Sequence, residues 1–155
     1  MATEGAAVRQ DLLILGIGNG LRADDGAGPY VAARLAAAGL NARVHAGDGT
    51  GIIDAMAEAR HLVLIDATRS GAAPGTHTRL DAIAAPIPAE FFHYSTHRFG
   101  LAEAVETARA LDLLPPALEV HGIEGADFSP GETLSAPVAE AAEALIVTLL
   151  AAFAR

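Results

Sequence analysis

The run Leu12-Leu13-Ile14-Leu15 passes directly into Gly16-Ile17-Gly18-Asn19-Gly20-Leu21-Arg22-Ala23, then Asp24-Asp25 and Gly26-Ala27-Gly28-Pro29. This stretch constrains the fold more than any other. Apolar residues without alternation suit a strand covered on both faces. Three spaced glycines allow a sharp turn or the close approach of another group to the backbone. Pro29 fits the first turn of a helix continuing through Val31, Leu35 and Leu40. Strand, turn and helix in that order make an α/β unit, and such units bind ligands at the carboxyl ends of their strands. Asp24 and Asp25 therefore fall where a site is expected.

The pattern repeats along the chain. Ala42–Ala46 reads as a short strand, 52–60 as a helix and 61–67 as a second strong strand ending in Asp66. Residues 76–82 alternate polar and apolar, as an edge strand does. Pro86 and Pro88 break the segment that follows, and 91–99 is irregular. Residues 101–114 have helical spacing up to Pro115-Pro116, 117–123 form a third strand pattern, and Ser135 with Pro137 opens a last helix to Phe153. The alternation predicts one three-layer α/β domain over residues 1–155.

Ten basic against nineteen acidic residues give a net charge of −9 with His neutral. That argues against nucleic acid and against an anionic membrane surface as partners. Cysteine is absent, which excludes disulfides, thiolate catalysis and thiolate metal ligation by this chain. Residues 1–10 lack the pattern of a signal peptide. The uncharged run 144–154 is short against the ~20 residues of a spanning helix. The expected compartment is the cytoplasm.

Asp24 and Asp25 have two readings: caps for free helix N–H groups, or a site. Asp66, at a strand end, is either a turn acceptor or a site acid. Of the six histidines, His93 and His97 share a four-residue spacing, but no H-E-x-x-H glutamate accompanies them and the prolines disfavour a helix there. Two carboxylates and an imidazole from separate loops make an open O/O/N set suited to zinc, nickel or manganese. Gly18-x-Gly20-x-x-Ala23 is a loose dinucleotide fingerprint, but the two aspartates would repel a pyrophosphate. No P-loop and no Gly-x-Ser-x-Gly elbow occurs, so a serine nucleophile such as Ser95 is not expected.

Four segments in order resemble the [NiFe]-hydrogenase maturation proteases. They are 16–28 with its Asp24-Asp25 pair, Leu64-Ile65-Asp66-Ala67, Ser95-Thr96-His97-Arg98-Phe99-Gly100-Leu101, and 120–135 with Gly122-Ile123-Glu124 and Leu134-Ser135. The resemblance implies an α/β/α sandwich on a mostly parallel, mixed five-stranded sheet. It implies an endopeptidase that removes the C-terminal extension of the hydrogenase large-subunit precursor after nickel insertion. The nickel, carried by the substrate, is the recognition feature; another divalent metal is an alternative in vitro. The metal-contacting and catalytic positions fall on Asp25, Asp66 and His97. Many members carry Asp-Gly-Gly-Thr where this chain has Gly47-Asp48-Gly49-Thr50; Asp48 either replaces that acid or is a turn residue. The alternative function is a non-proteolytic α/β metal- or ligand-binding domain on the same scaffold.

Overall fold

The computed structural model describes residues 10–92 and 98–154. Among them five strands form one sheet: β1 (Gln10–Ile17), β2 (Ala42–His45), β3 (Ala59–Thr68), β4 (His77–Asp81) and β5 (Ala117–Glu124). Their order is β2-β1-β3-β5-β4. The first four in that order run parallel, and β4 closes the edge antiparallel to β5. The helices are α1 (Ala27–Ala37), α2 (Gly49–Met56), α3 (Leu101–Ala110) and α4 (Ala136–Phe153).

Both faces of the sheet are covered, because β1 and β3 are apolar on both sides. Ile14, Val63 and Ile65 meet Val31 and Leu35 of α1 and Val138 and Leu145 of α4. Leu13, Leu15, Leu62 and Leu64 meet Ile52 and Met56 of α2 and Val105 of α3. The result is the expected three-layer α/β/α sandwich on a mixed sheet of five strands. The alternating 76–82 segment is indeed the edge strand β4, exposed at every second residue.

Helix ends differ from the predicted ones for local reasons. The helix predicted to run to Leu114 stops at Ala110, because Asp112 turns left-handed (φ 59°) and Leu113 N–H bonds back to Ala108. α1 stops at Ala37 rather than reaching Leu40, whose N–H closes on Leu35 while its side chain still joins the core. The 52–60 helix starts earlier, at Gly49, and ends at Met56 so that Ala59 can enter β3. α4 is 18 residues with mean hydropathy 1.7, long and apolar enough by length and composition to cross a bilayer. Here its apolar stripe (Val138, Ala142, Leu145, Ile146, Leu149) lies buried on the sheet and α1.

Candidate functional site

β1 lies between β2 and β3, so the chain leaves it to one side and returns on the other. At such a switch point the loops diverge and leave a crevice at the strands' carboxyl ends. Asp25 follows β1 in a short 3-10 turn, Ala23–Gly26, and Asp66 lies near the end of β3. The first turn of α1 is pressed onto this end of the sheet. A Cβ at Gly28 would lie 2.5 Å from the carbonyl oxygens of both Ile17 and Ile65, and one at Gly16 would lie 2.1 Å from the Gly28 oxygen. Glycine at both positions is thus what allows the Asp25 turn to sit over β1 and β3.

The two adjacent aspartates do different work. Asp24 is fully buried. Its Oδ2 accepts from Ala126 N (2.8 Å), Asp127 N (2.9 Å) and Ser135 Oγ (2.8 Å), and its Oδ1 from Ser135 N (2.7 Å). Burial alone would raise its pKa, but the bonds from Ser135, Ala126 and Asp127 outweigh this and hold the carboxyl below its ordinary value. Asp24 is a clamp on the 126–135 loop, over a hundred residues away, and not a cap on its own helix.

Asp25 accepts from Asn19 N at 3.0 Å and lines a hollow of about 510 Å³ together with Arg22, Val44 and Ala46. Asp66 is 7% exposed. Its pKa is raised well above the ordinary aspartate value, first by burial and then by the charge of Asp25, against which the Ala67 backbone N–H is a small offset. A buried carboxyl whose proton affinity is raised by burial and by a neighbouring carboxylate favours the arrival of a cation beside it. Their donor set is hard oxygen, to which an imidazole would add nitrogen. Among the described residues no three His, Asp or Glu side chains gather closely enough to hold a metal ion. His97, the expected third member, lies outside the described residues, as do His93 and Ser95. Both described flanks of that segment are tied down beside the crevice. Arg69 N–H, just beyond β3, bonds Phe91 O at 3.1 Å, and Gly49 N–H, in the first turn of α2, bonds Phe99 O at 2.7 Å.

Other polar residues are placed elsewhere or serve the frame. Asp48 caps α2, accepting from Gly51 N (2.9 Å) and Thr50 Oγ1 (3.1 Å), as the turn-residue alternative expects. His45 accepts from Gly47 N through Nδ1. His61, Glu119, His121 and His77 form a hydrogen-bonded chain across β3, β5 and β4, away from the acid pair. Glu124 is a residue whose part the sequence did not announce. It is 3% exposed and accepts from Thr68 Oγ1, Ser70 N, Ser70 Oγ and Gly71 N, so it staples the loop just after Asp66.

Residues 41–152 match the family model described as hydrogenase maturation protease. The fold is similar to that of the solution structure of an endopeptidase from Escherichia coli, with TM-score 0.75, 27% identity, and 92% of this chain and 91% of that chain covered. It is similar to the endopeptidase HycI from Escherichia coli, with TM-score 0.67, 28% identity, and 90% and 89% covered. It is also similar to the [NiFe] hydrogenase maturation protease HybD from Thermococcus kodakarensis, with TM-score 0.68, 25% identity, and 92% and 99% covered. A comparison with curated protein sequences gave no match.

Proposed function

The chain belongs to the hydrogenase maturation protease family, and from that premise we propose that it cleaves the C-terminal extension from a [NiFe]-hydrogenase large-subunit precursor once nickel is in place. The observation that carries this reading is the acid pair. Asp25 follows β1 and Asp66 lies near the end of β3, and burial together with Asp25's charge raises the pKa of Asp66 well above its ordinary value. A pair of that kind gains from an arriving cation. The nickel belongs to the substrate, where it is already ligated, and Asp25, Asp66 and His97 supply the oxygen and nitrogen ligands that dock it. Docking the ion fixes the neighbouring peptide, and that orientation lowers the barrier to hydrolysis. With no thiol and no Gly-x-Ser-x-Gly elbow in the sequence, water is the proposed hydrolytic nucleophile. It adds to the scissile carbonyl carbon, the C–N bond breaks, and the departing nitrogen takes up a proton.

The test is incubation of the protein with nickel-loaded and with nickel-free precursor, followed by mass measurement. Loss of the extension from the loaded precursor alone is the expected result. Cleavage of both forms would remove the metal from recognition. Cleavage of neither would favour a non-proteolytic binding domain on this scaffold.

A further inference from the structure

The hollow beside Asp25 has two features that the acid pair leaves unused. The first is a strand edge. β2 is the outermost strand on its side of the sheet. The carbonyls of Asn41 and His45 accept from Ile14 and Gly18 in and beyond β1. By the alternation of a parallel ladder, Val44 therefore turns its N–H and C=O away from β1. Val44 also lines the hollow and is 53% exposed.

The second feature is a cation. Arg34, Arg43, Arg79 and Arg109 pair with Glu143, Glu58, Glu119 and Glu106. Arg22, like Arg60 and Arg69, forms no ion pair among the described residues, and unlike them it lines the hollow, in a chain whose net charge is −9. Its backbone is fixed: Ala23 N–H bonds Gly131 O at 2.8 Å, and Gly131 N–H bonds Leu21 O at 2.9 Å. An arginine held in place without a carboxylate, in an acidic protein, is complementary to a carboxylate that arrives with a ligand.

Resting on the reading of the chain as a processing endopeptidase, we propose that the substrate's C-terminal extension docks as an added strand on the outer edge of β2, with an apolar side chain against Val44 and a carboxylate on Arg22. Main-chain bonds to a strand edge tolerate sequence variation, while side-chain contacts supply choice. Arg22 is then a specificity-determining residue, and the carboxylate is either an acidic side chain of the extension or its C-terminus.

Steady-state processing of nickel-loaded precursor tests this. Arg22→Glu should raise KM about tenfold or more, the scale of one charge-assisted contact, with the effect in KM rather than kcat. Arg22→Lys should retain most of the wild-type KM. Precursor whose extension has its acidic side chains changed to Lys should restore KM to Arg22→Glu if a side chain is the partner. Precursor amidated at its C-terminus should lose the sensitivity to Arg22→Glu if the terminus is the partner. Val44→Pro removes an outward N–H without costing a bond to β1 and should also raise KM, its fold being checked by thermal midpoint. If wild type cleaves the precursor and Arg22→Glu does so with unchanged KM, or if neither altered precursor changes the effect of Arg22→Glu, the docking mode is overturned while the endopeptidase reading stands. If wild type leaves loaded precursor uncut, the endopeptidase reading falls and this docking mode with it.

Discussion

Asp24 and Asp25 are neighbours in sequence and both are buried, yet the protein uses them in opposite ways. Asp24, with Glu124, belongs to a frame. Asp24 receives four bonds and Glu124 five, and both carboxyls lie below their ordinary pKa although burial alone would raise them. Asp25 and Asp66 belong to a crevice in which the charge of one raises the proton affinity of the other. A buried carboxylate with enough donors is a staple. A buried carboxyl beside a second carboxylate costs stability instead and favours a cation. The lesson is that burial alone does not set a carboxylate's part: the donors aimed at Asp24 and Glu124 make them staples, whereas a second carboxylate acts on Asp66.

The sharpest way to break the frame is Asp24→Ala. It leaves the N–H groups of Ala126, Asp127 and Ser135 without their acceptor, at ~1–3 kcal/mol for each buried group left unpaired. A loss of about 3–5 kcal/mol is expected, a fall in thermal midpoint of order 10 °C for a chain of this size. A calorimetric change below about 2 °C would show that the clamp is dispensable. Glu124→Ala should cost somewhat less, about 2–3 kcal/mol, since part of its loop can turn to water. Limited proteolysis should then find new cuts at 68–71, and an unchanged digestion pattern would contradict the staple.

In the crevice the same kind of change should act with opposite sign. Asp66 has a folded pKa raised above its unfolded value of 3.8. As pH rises through that unfolded value the unfolded chain loses its proton first, so this group's contribution turns destabilising toward neutrality. Asp66→Asn should therefore abolish processing while raising the midpoint at pH 7 by about 2–4 °C per kcal/mol relieved. A lowered midpoint would place Asp66 in the frame.

The smallest expected effect concerns Glu119, an acid remote from the crevice. Its hydrogen bond from His121, joined by that from His61, overcomes burial and lowers its pKa from 4.5 to about 2. A depressed acid stabilises the fold above its unfolded pKa and loses that contribution as pH falls toward the folded one. The stability difference between wild type and Glu119→Gln should thus hold above pH 4.5 and close toward pH 2. A difference that stayed constant through this window would remove Glu119 from the frame group.

The sheet was legible because β1, β3 and β5 are apolar without alternation and β4 alternates, patterns that period and length distinguish. The crevice was legible too, since an acid just past β1 and another at the end of β3 follow from the strand reading. The division of labour between Asp24 and Asp25 came only with the family resemblance, which put the metal contact on Asp25, and the part of Asp24 was not legible. Nothing local separates Asp24 from Asp25; the donors that claim Asp24 come from Ala126, Asp127 and Ser135, joined to it only by the folded topology. Glu124 was visible within its motif, but its grip on Ser70 depends on the β3–β5 register. Asp48 stood open between acid and turn until its bond from Gly51 made it a cap.

The central claim is that Asp25 and Asp66 form the cation-accepting pair and Asp24 does not. It is tested most directly by the thermal midpoint of the isolated protein titrated with Ni2+. Wild type and Glu119→Gln should both be stabilised by the ion, by about 1–3 kcal/mol at tens to hundreds of times Kd. Asp25→Asn and Asp66→Asn should lose that stabilisation. An equal nickel-induced shift in all four proteins would contradict the account, because the ion would then be binding away from the crevice.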